Sequence, residues 1–389
     1  MNYAFNIAVA VLVLAGGSAV SQAQIPVQVV TPTAEQVVLD ADSFVNAGEM
    51  AYLAFPALIA GDQDEVLISY KRGRSHANDA GALLEVVRFN TADNRIESRE
   101  AIGGEPELIF QMGEWARFPS GTLANFVDVQ QVVKDRGRSQ NHRTGVQFAV
   151  SRDNGKTFFK MQLLPAIDGK EYGYVFDCLP VADRLYVLAM TFPEQTERKT
   201  KFSEDGKRIF GTVVALVYDE QDDKWSHVRD LNQEFGNINI NESCLIADGE
   251  GFIVATRGYD NKARLHRVDQ EFRELQSFDL TASTKEIESH VGRPRLFEKD
   301  GRLYLLGRSF RHGKMELALF RINKKTLAAE QGAILDPLSD STITDGYYAM
   351  HYFRNNGDAE RFNVVTYRRT NKQKHPDIIR LEFNWSDVR

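Results

Sequence analysis

Cysteine is nearly absent: Cys178 and Cys244 are the only two in 389 residues. That excludes a disulfide-stapled scaffold, and no Cys/His spacing suits a zinc site. The two thiols fall in separate predicted units, either paired in an oxidising compartment or standing as two buried free thiols. Basic charge is short as well. With 47 Lys+Arg against 54 Asp+Glu the net charge is −7, so no nucleic-acid partner is expected. Long amphipathic helical patterns are missing, and beyond residue 24 no apolar run is long enough to cross a bilayer. The one apolar run lies at the start, Ile7 to Ala15, followed by Gly16, Gly17 and a small-residue site at Ser21-Gln22-Ala23. No Lys or Arg precedes it, but its length suits a secretory signal over residues 1–24 rather than a membrane anchor. A secreted or periplasmic protein with no membrane span follows.

What the chain does hold is strand material. Hydrophobic residues make up 43%, with 24 Phe and 13 Tyr, which suits pleated strands and sugar-stacking platforms alike. A unit recurs: an apolar strand, a Gly- or Asp-containing turn, then a second strand with an Arg or aromatic end. One copy is Phe55 to Ile59, Gly61-Asp62, then Val66 to Lys71. Others are Ser243 to Ile246, Asp248-Gly249, then Phe252 to Arg257, and Arg295 to Phe297, Asp300-Gly301, then Leu303 to Arg308. The last runs from Tyr348 to Phe353 through Asn356-Gly357 to Phe362–Tyr367. Six units fall near 51–100, 105–165, 172–230, 240–280, 291–335 and 345–387. No unit buries both faces alone, so neighbours must stack around an axis. The expectation is an all-β fold, a single six-bladed β-propeller over 51–389. Residues 25–50 form a connector whose Val27-Gln28-Val29-Val30 adds a closing strand to the last blade.

Between two strand-like runs lies Ser151-Arg152-Asp153-Asn154-Gly155-Lys156-Thr157-Phe158. The carboxylate of Asp153 can accept nearby backbone N–H groups, Gly155 can take positive φ, and Ser151 and Thr157 can bond across the mouth. This stretch resembles the Asp box of sialidases and related propellers with BNR repeats. Degenerate tips fall at Asn90 to Asn94, Tyr218 to Trp225 and Asn323 to Lys325.

In a propeller, polar residues at the ends of inner strands meet at one mouth. Four clusters qualify, each with a plainer rival. Lys71 to Gly81 puts Arg72, Arg74, His76 and Asp79 on one loop, or is a solvated basic loop. Asn241-Glu242-Ser243 with Arg257 places a Glu at the head of an apolar strand, or is a structural ion pair. Gly292-Arg293-Pro294-Arg295 with Arg308 offers guanidinium forks for a carboxylate, or rim arginines paired with surface acids. Asp345-Gly346-Tyr347-Tyr348 turns one phenol to the channel, or packs both rings.

Taken in order, these clusters resemble the sialidase family. The resemblance implies Asp79 as acid, Glu242 as base for a Tyr348 nucleophile, and a carboxylate receptor that includes Arg257. Its third arginine is one of Arg293, Arg295 and Arg308, with Arg72, Arg74 and His76 as further substrate contacts. The first family arginine is missing, because the chain reads Leu53-Ala54-Phe55-Pro56, with Lys71 or Arg72 as a substitute. Matching Arg117-Phe118-Pro119 instead would place the acid near Arg143, which cannot serve. The implied activity is a retaining glycosidase acting on a terminal acidic sugar of a glycan or polysaccharide, as a monomer, without metal or cofactor. Two other classes stand beside it: a polysaccharide lyase using His76 or His351 with a tyrosine, and a non-catalytic glycan-binding propeller.

Overall fold

The polar turns cut the chain into short antiparallel strands that assemble as six sheets. The computed structural model describes residues 22–62, 64–135, 138–192, 211–338, 342–343, 346–356 and 359–389. Met1 to Ser21 of the expected signal, Asp345 of the fourth cluster and Gly357 of the last repeat lie outside them. Blade 1 comprises Tyr52–Ala60, Glu65–Gly73, Leu83–Asn90 and Arg95–Gly103. Blade 2 comprises Leu108–Arg117, Leu123–Asp135, Arg138–Ser151 and Gln162–Leu163, and blade 3 Tyr172–Val181, Arg184–Thr191, Val213–Asp219 and Lys224–Asp230. Blade 4 comprises Ile240–Asp248, Gly251–Gly258, Ala263–Val268 and Glu274–Asp279, and blade 5 Gly292–Lys299, Arg302–Arg311, Lys314–Ile322 and Ala329–Pro337. Blade 6 is built from Met350–Asn356, Ala359–Thr370 and Asp377–Asn384, completed by Ala34–Leu39 from the start of the chain. The sheets are as many as the repeats read from the sequence, and the fold is a six-bladed β-propeller.

The closing strand differs from expectation. Val27–Val29 runs parallel to the outer strand of blade 5, and the ring is shut by Ala34–Leu39 against Asp377–Asn384. The reason is length: Val27–Val29 is hemmed by Pro26 and Pro32, whereas six proline-free residues from Ala34 can pair along most of an outer strand.

Each blade buries its faces on the next, through aliphatic side chains between blades 4 and 5 and through aromatic rings at other seams. Tyr186 of blade 3 meets Phe252 of blade 4 at 4.7 Å, and Phe297 of blade 5 meets Phe362 of blade 6 at 5.8 Å. These stacks use the hydrophobic side of the alternation, at roughly 1.5–3 kcal/mol per fully buried large side chain. Cys178 and Cys244, on the inner strands of blades 3 and 4, are free thiols.

The stretch from Ser151 locks itself as its residues dictate. Asp153 Oδ1 accepts the N–H groups of Lys156 and Thr157 at 3.0 and 2.9 Å, and Thr157 Oγ1 donates to Oδ2 at 2.6 Å. Ser151 Oγ accepts the Gly155 N–H at 2.7 Å. Four hydrogen bonds to its carboxylate hold Asp153 well below the usual carboxylate range, and Gly155 takes φ 77. The strand after it is shorter than its composition suggests, only Gln162–Leu163. This tip joins the outer strands of blade 2 at the face away from the inner-strand starts.

Candidate functional site

The innermost strands begin at one mouth of the ring, and in blades 1 to 5 each carries a register shift soon after its start. The shifts fall at Ala54/Ala57, Phe110/Gly113, Val175/Asp177, Ile240/Ser243 and Gly292/Arg295. Such a bulge re-aims side chains that strict alternation would send into the blade interface. Two residues at these bulges, Phe55 (φ 57) and Arg293 (φ 46), are left-handed without being glycine, a costly conformation that clusters at functional sites.

The bulge of blade 4 presents Glu242, which is only 3% exposed. Tyr348 donates its hydroxyl to Glu242 Oε1 at 2.6 Å. Oε2 accepts from Arg257 Nη1 at 2.7 Å and from the backbone N–H of Arg293 at 2.9 Å. Arg308 Nη2 stands 3.6 Å from the same oxygen, and the guanidinium carbons of Arg293 and Arg308 both lie 5.9 Å from the Tyr348 ring centre. Arg308 fits only because Gly292 and Gly346 flank it; a Cβ on either would collide with its guanidinium nitrogens. Burial alone would raise the Glu242 carboxyl, yet Arg257, Arg308 and the Tyr348 hydroxyl together hold it well below the usual range. Burial and the Glu242 charge push the Tyr348 phenol well up, so at rest the proton sits on oxygen of the tyrosine.

A second carboxylate lies deeper. Glu114, on the inner strand of blade 2 and 3% exposed on its side chain, is gripped by Arg293 and by Arg295 Nη2, the latter at 2.5 Å. Arg295 reaches on to Asp177 Oδ1 at 3.1 Å. Burial pushes the Asp177 carboxyl up to about 6 against the pull of Arg295, with the Glu114 charge adding to the rise. In the unfolded chain the same group titrates near ~3.9. The folded protein therefore keeps a proton between about pH 4 and 6 that the unfolded chain has released. This contribution to stability is complete below pH 4 and is lost as pH rises through 6. Asp177→Asn removes it, so the melting temperature of the variant minus that of the parent should climb from pH 4 to 7. A difference constant with pH would overturn the assignment.

Counting the groups of the cluster, of which Arg257 and Asp177 are half-buried and the rest buried, four guanidinium ions (Arg257, Arg293, Arg295, Arg308) face three carboxylates (Glu114, Asp177, Glu242). The centre carries one positive charge in excess, and Arg293 Nη1 and Arg308 Nε are buried without a hydrogen-bond partner. An excess buried cation with unpaired donors is costly unless an anion completes it.

The structure gathers Glu242, Tyr348, Arg257, Arg293 and Arg308 into one cluster. It singles out Arg308 as the arginine turned to both Glu242 and the Tyr348 ring, with Arg295 turned inward. Arg72 is placed elsewhere, a correction to the sequence reading, and Arg74 is exposed on the 73–81 loop. Arg72 is paired with Glu85 at 2.8 Å and Glu49 at 3.0 Å, and Arg74 bonds the Ala80 carbonyl at 3.1 Å. Neither substitutes for the missing first arginine. Nor does Lys71, directly across from Ala54 in the ladder. Its ammonium is fully buried against Asp79 at 3.3 Å and donates to the Ser75 and His76 carbonyls. Asp79 Oδ2 also accepts the N–H groups of Arg74 and Ser75 at 2.8 and 3.1 Å, so this carboxylate holds the loop together. His76, on that loop and half-buried, sets its ring 5.0 Å from Phe55, which meets Tyr348 edge-on at 4.9 Å. His351 packs on Phe297 at 3.9 Å inside the blade 5–6 interface, where burial and the Arg295 charge hold its imidazolium down to about 3. Glu114, Asp177 and His290 were not anticipated, although Glu114 sits in an apolar run, Ile109 to Trp115, by the same signal that marked Glu242.

Among the described residues, no group of three or more His, Cys, Asp or Glu is placed to hold a metal ion, and no helix is long and apolar enough to cross a membrane. No family model matches this sequence, and neither does any curated protein. Solved structures do. A protein of unknown function from Dyadobacter fermentans superposes with TM-score 0.67 at 13% identity, covering 92% of this chain and 99% of its own. The NanB sialidase of Streptococcus pneumoniae, in complex with an ammonio-ethanesulfonate, gives TM-score 0.58 at 10% identity over 94% and 71%. The leech intramolecular trans-sialidase, complexed with 2,7-anhydro-Neu5Ac, gives 0.56 at 10% over 87% and 68%. This chain has the sialidase-like fold. What the sialidase-like propeller shares with these neighbours is architecture, and its chemistry rests on its own residues.

Proposed function

We propose that this propeller is an extracytoplasmic retaining glycosidase that acts on a terminal sugar bearing a carboxylate. The observation that carries the reading is the excess guanidinium charge around a tyrosine hydrogen-bonded to a buried glutamate. The substrate carboxylate binds the unpaired N–H groups of Arg308 and Arg293, beside Arg257, and competes with Glu242 for those cations. Relieved of part of that charge, Glu242 becomes a stronger base at the moment the sugar arrives. Tyr348 oxygen then forms a bond to the anomeric carbon, its proton passes to Glu242, and the glycosidic C–O bond breaks. A neutral phenol suits this carbon, since a carboxylate nucleophile would be repelled by the sugar's own anion. Water cleaves the tyrosyl intermediate in the second half.

The leaving oxygen needs a proton from the 73–81 loop. Asp79 is committed to Lys71 and two backbone N–H groups, and we assign the transfer to His76. The test compares His76→Ala and Asp79→Asn on an aryl glycoside with a good leaving group and on an alkyl glycoside with a poor one. Loss of the acid should cost roughly 10²–10⁴-fold on the alkyl glycoside and far less on the aryl one. Asp79→Asn, which loosens the loop, should slow both alike. The opposite pattern returns the role to Asp79. Substrate class is read from a panel of fluorogenic sialosides, uronides and neutral glycosides, where hydrolysis confined to neutral sugars would refute the anion receptor. Ala54 in place of the family arginine favours a second reading, a glycan-binding propeller that turns nothing over. An ultraviolet-absorbing unsaturated product would mark a lyase instead.

A further inference from the structure

His290 belongs to none of the clusters marked in the sequence, yet it stands beside Arg257, Arg308 and Glu242. It lies two residues before the inner strand of blade 5, is 7% exposed, and its Nε2 is buried with no hydrogen-bond partner. Its ring meets Phe310 at 5.0 Å, and Phe310 shares a strand face with Arg308, two residues away on Arg302–Arg311. Phe310 lies two residues nearer the mouth than Arg308 on that strand, so the imidazole packed against it sits on the mouth side of the arginine.

Its tautomer follows from its neighbours. Ser289 Oγ donates to the Asn261 carbonyl at 3.4 Å and lies 3.2 Å from His290 Nδ1. These two contacts accommodate the tautomer in which Nδ1–H is donated to Oγ and the lone pair stands on Nε2, the form on which the proposal rests. Burial, with Arg257 and Arg308 beside it, holds the imidazolium down to about 3 against the opposing pull of Glu242. At working pH the ring is neutral and cannot protonate anything. It is a fixed acceptor set next to cations that bind an anion.

We propose that His290 is a specificity-determining residue whose Nε2 accepts a hydrogen bond from a hydroxyl or amide N–H of the substrate close to the clamped carboxylate. The inference rests on the anion receptor of the proposed function and adds to it a requirement for a hydrogen-bond donor. Simple carboxylates satisfy only the arginines, whereas sugar acids satisfy both. The acceptor is already buried and unpaired in the free protein, so a simple carboxylate gains nothing from it, whereas a donor-bearing ligand gains one buried hydrogen bond.

The experiment is calorimetric titration of the full chain with N-acetylneuraminic acid, glucuronic acid and benzoate, the last a carboxylate without donors. His290→Leu should weaken binding of at least one sugar acid by about tenfold, the loss of one buried hydrogen bond, and leave benzoate within about twofold. His290→Gln, whose amide oxygen reaches about as far as Nε2, should restore most of it. Equal loss on all three ligands would reduce His290 to a packing role, and no loss on either sugar acid would overturn the assignment outright. Arg308→Ala separates the two layers of the argument. If it abolishes all binding while His290→Leu changes none, only the present inference falls. If the parent protein binds none of the three acids, the anion receptor itself is wrong and the role of His290 goes with it.

Discussion

Tyr348→Phe is expected to lower turnover at least about 10³-fold while leaving the affinity for the acidic sugar within a few-fold. The change deletes one atom. That atom is the oxygen that would join the anomeric carbon, and no neighbouring group replaces it. Glu242 loses the 2.6 Å bond to its Oε1 but keeps Arg257 and the Arg293 N–H on Oε2, so the carboxylate stays paired and in place. The aromatic ring remains against Phe55 at 4.9 Å, and the fold has no reason to shift. Steady-state kinetics on the best fluorogenic substrate, with titration of the same sugar acid, separate the two quantities. Activity surviving above a tenth of the parent value would remove the phenol from the reaction. Absence of turnover in the parent, with binding equal in both proteins, would support the glycan-binding reading.

The largest expected effect on stability comes from Glu114→Gln. Glu114 receives Arg293 and Arg295 together, at a side-chain exposure of 3%. Removing its charge strands the buried Arg293 guanidinium and leaves Arg295 with Asp177 alone, and breaking such a buried pair costs roughly 3–5 kcal/mol. The position of Arg293 depends on the same contact, so the variant should also bind acidic sugars more weakly. Urea unfolding reads the first effect as a lower midpoint at unchanged slope. The exposed pair Arg273–Glu271 serves as the control, with side-chain exposures of 58% and 63%, and its loss should leave the midpoint unmoved. Equal midpoints for Glu114→Gln and parent would show that another group balances the arginines.

The fold was open to a reader of the sequence because propeller repeats announce themselves locally. Apolar strands end in Gly, Asp or Asn turns at a steady interval, and the Ser151–Phe158 turn carries its hydrogen-bond partners within eight residues. The Glu242–Tyr348 pair was reachable for a different reason: a Glu heading an apolar strand demands a partner, and the doubled tyrosine sends successive rings to opposite sides. Where the reading failed, the missing knowledge was long-range. Nothing around Arg72 shows that Glu49 and Glu85 will take its guanidinium, because Glu49 precedes the first blade and Glu85 sits one strand away. Asp79 reads as an acid on a loop until the fold brings Lys71 beside it. Arg293, Arg295 and Arg308 cannot be ranked from sequence, since a bulge decides which of them turns to the mouth. The closing strand was misassigned because Val27–Val29 has the stronger β composition, while Ala34–Leu39 has the length.

That closing strand has a consequence for how the molecule comes into being. Thr33, just ahead of it, bonds the Glu382 carbonyl across a separation of 349 residues, so the wheel stays an open arc until Asp377–Asn384 is available. The early strand must wait with an unpaired edge, the state most prone to join a neighbouring molecule. Contacts this distant are slow to form. Assembly of this protein should therefore be limited by the final latch between Ala34–Leu39 and Asp377–Asn384, and a break near either one would leave a ring unable to shut.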